Sequence, residues 1–165
     1  ENDLRFFNKF ALQANSPGRY NYREGYNRWN GGFMYFPHVG VTIPEVLLTA
    51  AECEARVGDI GIAVQLVNRL AESRYKTGTY IALNTTNRET AIQFILDERR
   101  RELWARGLRW FDLRRLNAIE GANITIQRTF TNHSLAPGDR GWVMPIARMY
   151  ISQNPEIMQN EGYQD

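Results

Sequence analysis

The sequence predicts a mainly α protein built from helical hairpins, with long irregular loops and at most a short β-hairpin. Two observations carry this prediction. Apolar residues recur three and four positions apart over 44–57, 60–71 and 86–106, the spacing of one helix face. Residues 96–115 alternate charge with large apolar side chains in two helical pieces that meet at Gly107. The spacing places a helical hairpin core at about 44–117, with loop-rich stretches at 16–43 and 118–165, so that 1–165 reads as one domain or a fragment of one.

The elements follow in chain order. Leu4, Phe7, Phe10 and Ala11 give a short helical pattern within residues 1–15. From Ser16 to Val41 the pattern dissolves into aromatics among glycine, asparagine and arginine. Such a stretch reads as a long ordered loop, because disordered segments are poor in aromatics. Pro44 opens the first long helix in the favoured first-turn position. Its stripe is Val46, Ala50, Cys53 and Val57, widened by Leu47 and Ala51. Gly58 is expected to end it as a left-handed cap, and Asp59 to cap the next helix. The second stripe is Ile60, Ala63, Val64, Val67, Leu70 and Ala71. The short Gly-Asp turn makes the two helices antiparallel, and Ala50, Ala51 and Ala63 let their axes approach.

The run from Leu48 to Leu70 resembles one tetratricopeptide-type repeat, which cannot bury its face alone and needs partner helices. Thr86 and Glu89 form a capping-box pattern ahead of a long helix reaching about Arg106. Ile92, Ile95, Leu96 and Leu103 line that helix, with Arg99 and Arg106 on the same stripe. Gly107 breaks it, and a shorter helix runs to about Asn117. Ile124, Ile126 and Phe130 predict a weak strand paired with 142–144. The tail, with Pro145 and Asn154-Pro155, reads as irregular with short turns.

Composition bounds the function. The chain has 165 residues, 43% of them hydrophobic, enough for a real apolar core. Its 20 basic and 18 acidic residues leave a net charge of only +2, unlike a general nucleic-acid binder. Cys53 is the one cysteine, so the sequence offers neither an internal disulfide nor a cysteine-based metal site. Its place on the apolar stripe predicts an inert side chain. No apolar run approaches the length of a membrane span. A chain that begins at Glu1, with no signal peptide or lipid-attachment cysteine near its start, is expected to be a mature or excised piece of a longer protein.

The charged run allows two readings. Arg99 lies where the helix should be buried, and a buried guanidinium left unpaired costs roughly 3–5 kcal/mol. Glu102 and Glu52 are available to it, and Asp112 follows Arg109 by three. Glu52, Glu98, Arg99, Glu102, Arg109 and Asp112 can therefore clamp helices together as a structural ion-pair network. Alternatively the arginines form an anionic-ligand site, a reading weakened by the four acids in the run.

Catalytic patterns are missing from the sequence. His38 and His133 stand far apart with no metal-ligand spacing around them. Ser16, Ser73, Ser134 and Ser152 lie in no nucleophile-elbow context, and no glycine loop would cradle phosphate. The expectation is a protein without catalytic residues, metal or cofactor. If a sugar site is present, flat rings should stack on sugar C–H faces while Asn and Arg bond the hydroxyls. Tyr22, Tyr26, Asn27, Arg28, Trp29 and Asn30 have that composition. The same rings can instead be buried anchors for a long loop, as buried aromatics dominate core energetics. Trp104, Trp110 and Trp142 read as packing residues, the first two beside arginines.

Four segments together resemble the SusD/RagB family of outer-membrane nutrient-binding lipoproteins of Bacteroidetes. They are 43–59, with its Ala51-Glu52 pair and glycine turn; 63–68, an alanine followed by Leu66-Val67-Asn68; 98–115, with Glu-Arg-Arg, Glu-Leu, Gly-x-Arg and Asp-Leu-x-Arg; and 144–163, with Met144-Pro145-Ile146, Asn154-Pro155 and 159–163. Asp3-Leu4-Arg5 resembles a weaker feature upstream. Arg106 departs from the pattern, standing where a glutamate often precedes the glycine, and so does Glu54, where a small or aromatic residue is commoner. Family members are much longer, so the likeness is to their C-terminal portion, with the signal peptide and lipid-bearing cysteine upstream.

The resemblance implies a mostly helical protein with tetratricopeptide-like hairpins supporting a loop-rich face. It implies a place on the outer surface of the outer membrane, held by a lipid anchor absent from this chain. The expected partners are a SusC-like TonB-dependent transporter and an oligosaccharide or other nutrient, with no nucleic acid. The expected activity is binding and hand-over without a chemical step. A helical-repeat scaffold for protein or peptide binding is the competing expectation.

Overall fold

The computed structural model describes residues 2–5, 40–104, 106–128 and 130–163, together with the backbone of 10–12 and 20–22. The chain divides into two compact units, Glu1–Arg106 and Gly107–Asp165. Among the described residues it is mainly α, with two short antiparallel ladders.

In the first unit, β1 (Phe10–Leu12) pairs with β2 (Tyr20–Tyr22), Phe10 opposite Tyr22. Phe10 and Ala11, expected on a helix, thus lie in a strand. Their three- and four-residue spacing was too short a sample to distinguish the two periods. Three helices follow: α1 (Ile43–Val57), α2 (Ile60–Glu72) and α3 (Arg88–Glu102). Their shared core is Leu48, Ala51 and Ala55 of α1, Ala63, Val67 and Leu70 of α2, and Ala91 and Ile95 of α3. The alanines admit close axes, and each of Leu48, Val67 and Ile95 contributes about 1.5–3 kcal/mol by leaving water.

The face that α1 buries differs from the expected stripe. Val46 and Cys53 are exposed and Val57 is 90% exposed, while Leu48, Ala51, Glu52 and Ala55 turn inward. Apolar residues occur around most of α1, and close packing on α2 and α3 selects the side carrying the small ones. The stripe of α2 is found as expected, with Ala63, Val67, Leu70 and Ala71 buried and Ile60 and Val64 packed on the core.

The helix ends show what holds them. Asp59 caps α2, its Oδ1 accepting from the Ile62 amide at 3.1 Å. Gly58 is not left-handed, with φ −114° and ψ −140°. Glu54 instead folds over it to accept from the Asp59 amide at 2.9 Å, and a Cβ on Gly58 would lie 2.1 Å from Glu54 Oε2. A side chain at this position would displace the Glu54 carboxylate from the Asp59 amide. Asn87, not Thr86, caps α3 by accepting from the Thr90 amide at 2.7 Å, in line with the better capping of asparagine. Arg88, at the start of α3, donates to the carbonyl of Ala55 at the end of α1.

The chain leaves α3 at Glu102, four residues short of the expected end. Arg106 turns back, donating to Thr42 Oγ1 at 2.8 Å and the Gly40 carbonyl at 2.6 Å. Gly107 then takes φ +75°, the left-handed region where a side chain is strained, and begins the next helix.

The second unit holds α4 (Leu108–Glu120), a hairpin of β3 (Ile126–Arg128) and β4 (His133–Leu135), a 3₁₀ turn (Arg140–Trp142) and α5 (Arg148–Gln153). Ile126 faces Leu135 across the hairpin. The expected partner, 142–144, does not pair with it, and Phe130 is fully exposed. Asn132 adopts φ +50° and turns the chain back within a few residues. Leu113, Leu116 and Trp142 are buried, and the Trp110 and Trp142 rings lie 4.7 Å apart at 39°, a geometry of favourable aromatic pairing. Trp104, expected to pack, is 40% exposed.

Candidate functional site

The buried guanidinium of the first unit belongs to Arg5. Arg99, expected to be buried, is half-buried and donates to Thr49 Oγ1 at 3.4 Å; the buried member of that turn is Glu98, 1% exposed. Arg5 Nη1 donates to Glu98 Oε2 at 2.8 Å and lies 3.5 Å from Glu102 Oε2. Arg5 Nη2 reaches Asp3 Oδ2 at 2.7 Å. Arg74 grips Glu102 with three bonds, Nη2 to Oε1 at 2.7 Å and Nε to Oε2 at 2.9 Å and Oε1 at 3.1 Å. Arg101 pairs with the other oxygen of Glu98.

Electrostatics follows from this geometry. Burial alone would lower the Arg5 pKa, but the bonds to Asp3 and Glu98 outweigh it and raise it. Burial alone would raise Asp3, and the Arg5 bonds bring it below the usual carboxylate range. The Glu102 bonds raise Arg74 against the opposing effect of burial. Three carboxylates face three guanidiniums, so the cluster has little net charge to offer an anion.

The remaining residues of the expected ion-pair set belong to both units. Glu52 pairs with Arg56 at 2.7 Å, one turn on. In the second unit Asp112 accepts from Arg115 at 3.2 Å, and Arg109 is half-buried in the first turn of α4. Of the expected sugar contacts, Tyr22 lies in β2 and its side chain is outside the described residues. Tyr26, Asn27, Arg28, Trp29 and Asn30 are outside them altogether, as are His38 and Ser16. His133 is exposed on β4. Ser73, just past the end of α2, and Ser152, within α5, each donate to the carbonyl three residues back. Among the described residues no group of His, Cys, Asp and Glu could hold a metal ion, and no helix is long and apolar enough to cross a membrane.

Side-chain amides do work that sequence reasoning missed. Asn68 donates to the Leu83 carbonyl at 2.8 Å and accepts from the Leu83 amide at 2.9 Å and the Tyr80 hydroxyl at 2.6 Å. Asn117 binds both backbone groups of Ile124, at 2.8 and 3.0 Å. Gln159 does the same to Ile146, at 2.8 and 2.9 Å. Each amide mimics one rung of a β-ladder and pins a loop. Two of them sit within helices, where asparagine is a weak former, and that mismatch is the signal by which they could have been found.

The second unit also holds a cleft of about 340 Å³ between α4 and the turn 136–143. Arg114, Asn117 and Ala118 line one side, and Pro137, Asp139 and Trp142 the other, with Val143 at its edge. The turn is tied by Trp142 Nε1 donating to the Ala136 carbonyl at 2.6 Å and by Asp139 Oδ2 accepting from the Ala136 amide at 2.6 Å.

The segments pinned by Asn68, Asn117 and Gln159 span 68–159, and the family model described as the SusD family matches residues 43–163, well over half of the chain. The chain belongs to the SusD family. The four segments of family resemblance all fall within that match. A SusD-like protein of Formosa agariphila is 38% identical over 124 residues, which cover 72% of this chain and 23% of the relative. The chain thus spans about a quarter of that relative's length. No solved structure matches the chain.

Proposed function

We propose that this chain is part of a surface-exposed glycan-binding component of a TonB-dependent outer-membrane uptake complex. In this reading the full-length protein is lipid-anchored on the outer surface, binds an oligosaccharide or other nutrient, and passes it to a SusC-like transporter without a chemical step. Membership of the SusD family over residues 43–163 carries the reading. The packed hairpin and its buried ion pairs support it, as a rigid base fit to hold binding loops. Tyr22, Tyr26, Asn27, Arg28, Trp29 and Asn30 are the proposed ligand contacts. Glu52, Glu98, Arg99, Glu102, Arg109 and Asp112 are proposed to act structurally.

Calorimetric titration of the full-length protein against a broad oligosaccharide panel tests this. Saturable binding of one glycan class, weakened by Trp29→Ala at unchanged melting temperature, is the expected result. A flat panel beside saturable binding of a peptide would replace it with the scaffold reading.

A further inference from the structure

The cleft beside α4 has a specific imbalance. Most of its lining is apolar or already committed: the Asn117 amide is taken by Ile124, and the Trp142 N–H by Ala136. Arg114 is different. It is exposed at the cleft and makes no hydrogen bond or ion pair among the described residues. Asp139 spends Oδ2 on the Ala136 amide, leaving Oδ1 to accept. The volume, about 340 Å³, falls at the small end of small-molecule sites. Because the turn is fixed by its own bonds, a ligand would not have to order it, and preorganisation of this kind favours affinity.

We propose that this cleft binds an acidic sugar residue, with its carboxylate on Arg114, a hydroxyl donating to Asp139 and its C–H face against Pro137 and Val143. The assignment rests on the glycan reading above for its biological sense and on the cleft alone for its chemistry. A neutral sugar leaves Arg114 unpaired. A simple anion leaves the apolar wall uncovered and meets the repulsion of Asp139 without a hydroxyl to offset it. A ring carrying both groups satisfies both sides.

The test is calorimetric titration of the full-length protein with glucuronate, glucose and acetate. It is repeated on Arg114→Gln, on Val143→Glu, which places a carboxylate at the cleft edge, and on Arg100→Gln as a control on exposed α3 surface. Glucuronate is expected to bind, with Arg114→Gln and Val143→Glu each weakening it by about tenfold or more and Arg100→Gln leaving it unchanged. Glucose and acetate should each bind about tenfold or more weakly than glucuronate. No binding of glucuronate, equal binding by Arg114→Gln, or acetate matching glucuronate would each overturn the proposal. If panel glycans bind but Arg114→Gln changes nothing, this site falls and the nutrient-binding reading stands. If glucuronate binds through Arg114 while no oligosaccharide does, the site stands and that reading falls.

Discussion

Arg5 and Glu98 are 93 positions apart and meet at 2.8 Å with side chains 7% and 1% exposed. The pair fastens the start of the chain to the last turn of α3. Beside it the Leu4 amide donates to the Arg74 carbonyl at 2.8 Å and the Lys76 amide to the Asn2 carbonyl at 3.1 Å.

Removing Arg5 leaves the buried Glu98 with Arg101 as its partner in this cluster, and removing Glu98 takes the 2.8 Å ion pair from the buried Arg5. Arg5→Met is expected to cost about 3–5 kcal/mol, and the double variant Arg5→Met with Glu98→Leu to recover most of that. Urea unfolding of the four proteins of this cycle measures it. A double variant as unstable as the single one would mean that the pair's worth lies in its charge.

Asp3 adds an acid-side dependence. Its folded pKa lies below the ordinary 3.8 because the Arg5 bonds outweigh burial. A depressed folded value gives stability that is present above the unfolded value and is lost as pH falls through the folded one. Asp3→Asn should therefore flatten the loss of stability below about pH 4, read from melting temperatures across an acid series.

Tyr80 acts at the other end. Burial, and then the charge of Glu98, raise its pKa above 10.0. A raised folded value gives stability that is complete below about 10 and is lost as pH rises through the folded value. Tyr80→Phe should remove that part of the alkaline transition, seen by comparing melting curves on either side of it.

Asn68 holds the loop after α2 with three bonds. Asn68→Ala should destabilise by about 2–3 kcal/mol, at roughly 1 kcal/mol per bond lost. Hydrogen exchange at the Leu83 amide should accelerate more than exchange in the α1 core.

Leu48 and Val57 separate the two faces of α1. Leu48→Ala is expected to cost about 2–5 kcal/mol by opening a core cavity. Val57→Ala, on the solvent side, should stay within about 0.5 kcal/mol. Thermal denaturation distinguishes them, and equal costs would return the buried face to the sequence-predicted stripe.

Much of the helical architecture was legible because it rests on local chemistry. Asp59 announced the cap of α2, and the stripe of α2 announced its buried side, since one face alone of that helix is strongly apolar. On α1 the apolar residues run around the helix, and only packing against α2 and α3 decides between Ala51 and Ala50. In the charged run only the expected burial fails: Arg99 is half-buried, and the buried guanidinium beside Glu98 is that of Arg5. Arg99 lies within the charged run, whereas Arg5 arrives from far away in sequence, and no spacing rule reports such a contact. The strand partner of Ile126 was missed for the opposite reason: a tight turn through Asn132 brought a nearer segment than the aromatic pattern pointed to. The cleft depends on the turn 136–143 closing on itself, a tertiary arrangement that neither Trp142 nor Arg114 signals alone.

Arg106 clasps the Gly40 carbonyl and the Thr42 hydroxyl just ahead of α1. That clasp works as a moored post. Lengthening or rewriting the chain upstream of Gly40 pulls against a fixed point instead of against the first turn of the helix, so variation can accumulate there while the scaffold behind it keeps its shape.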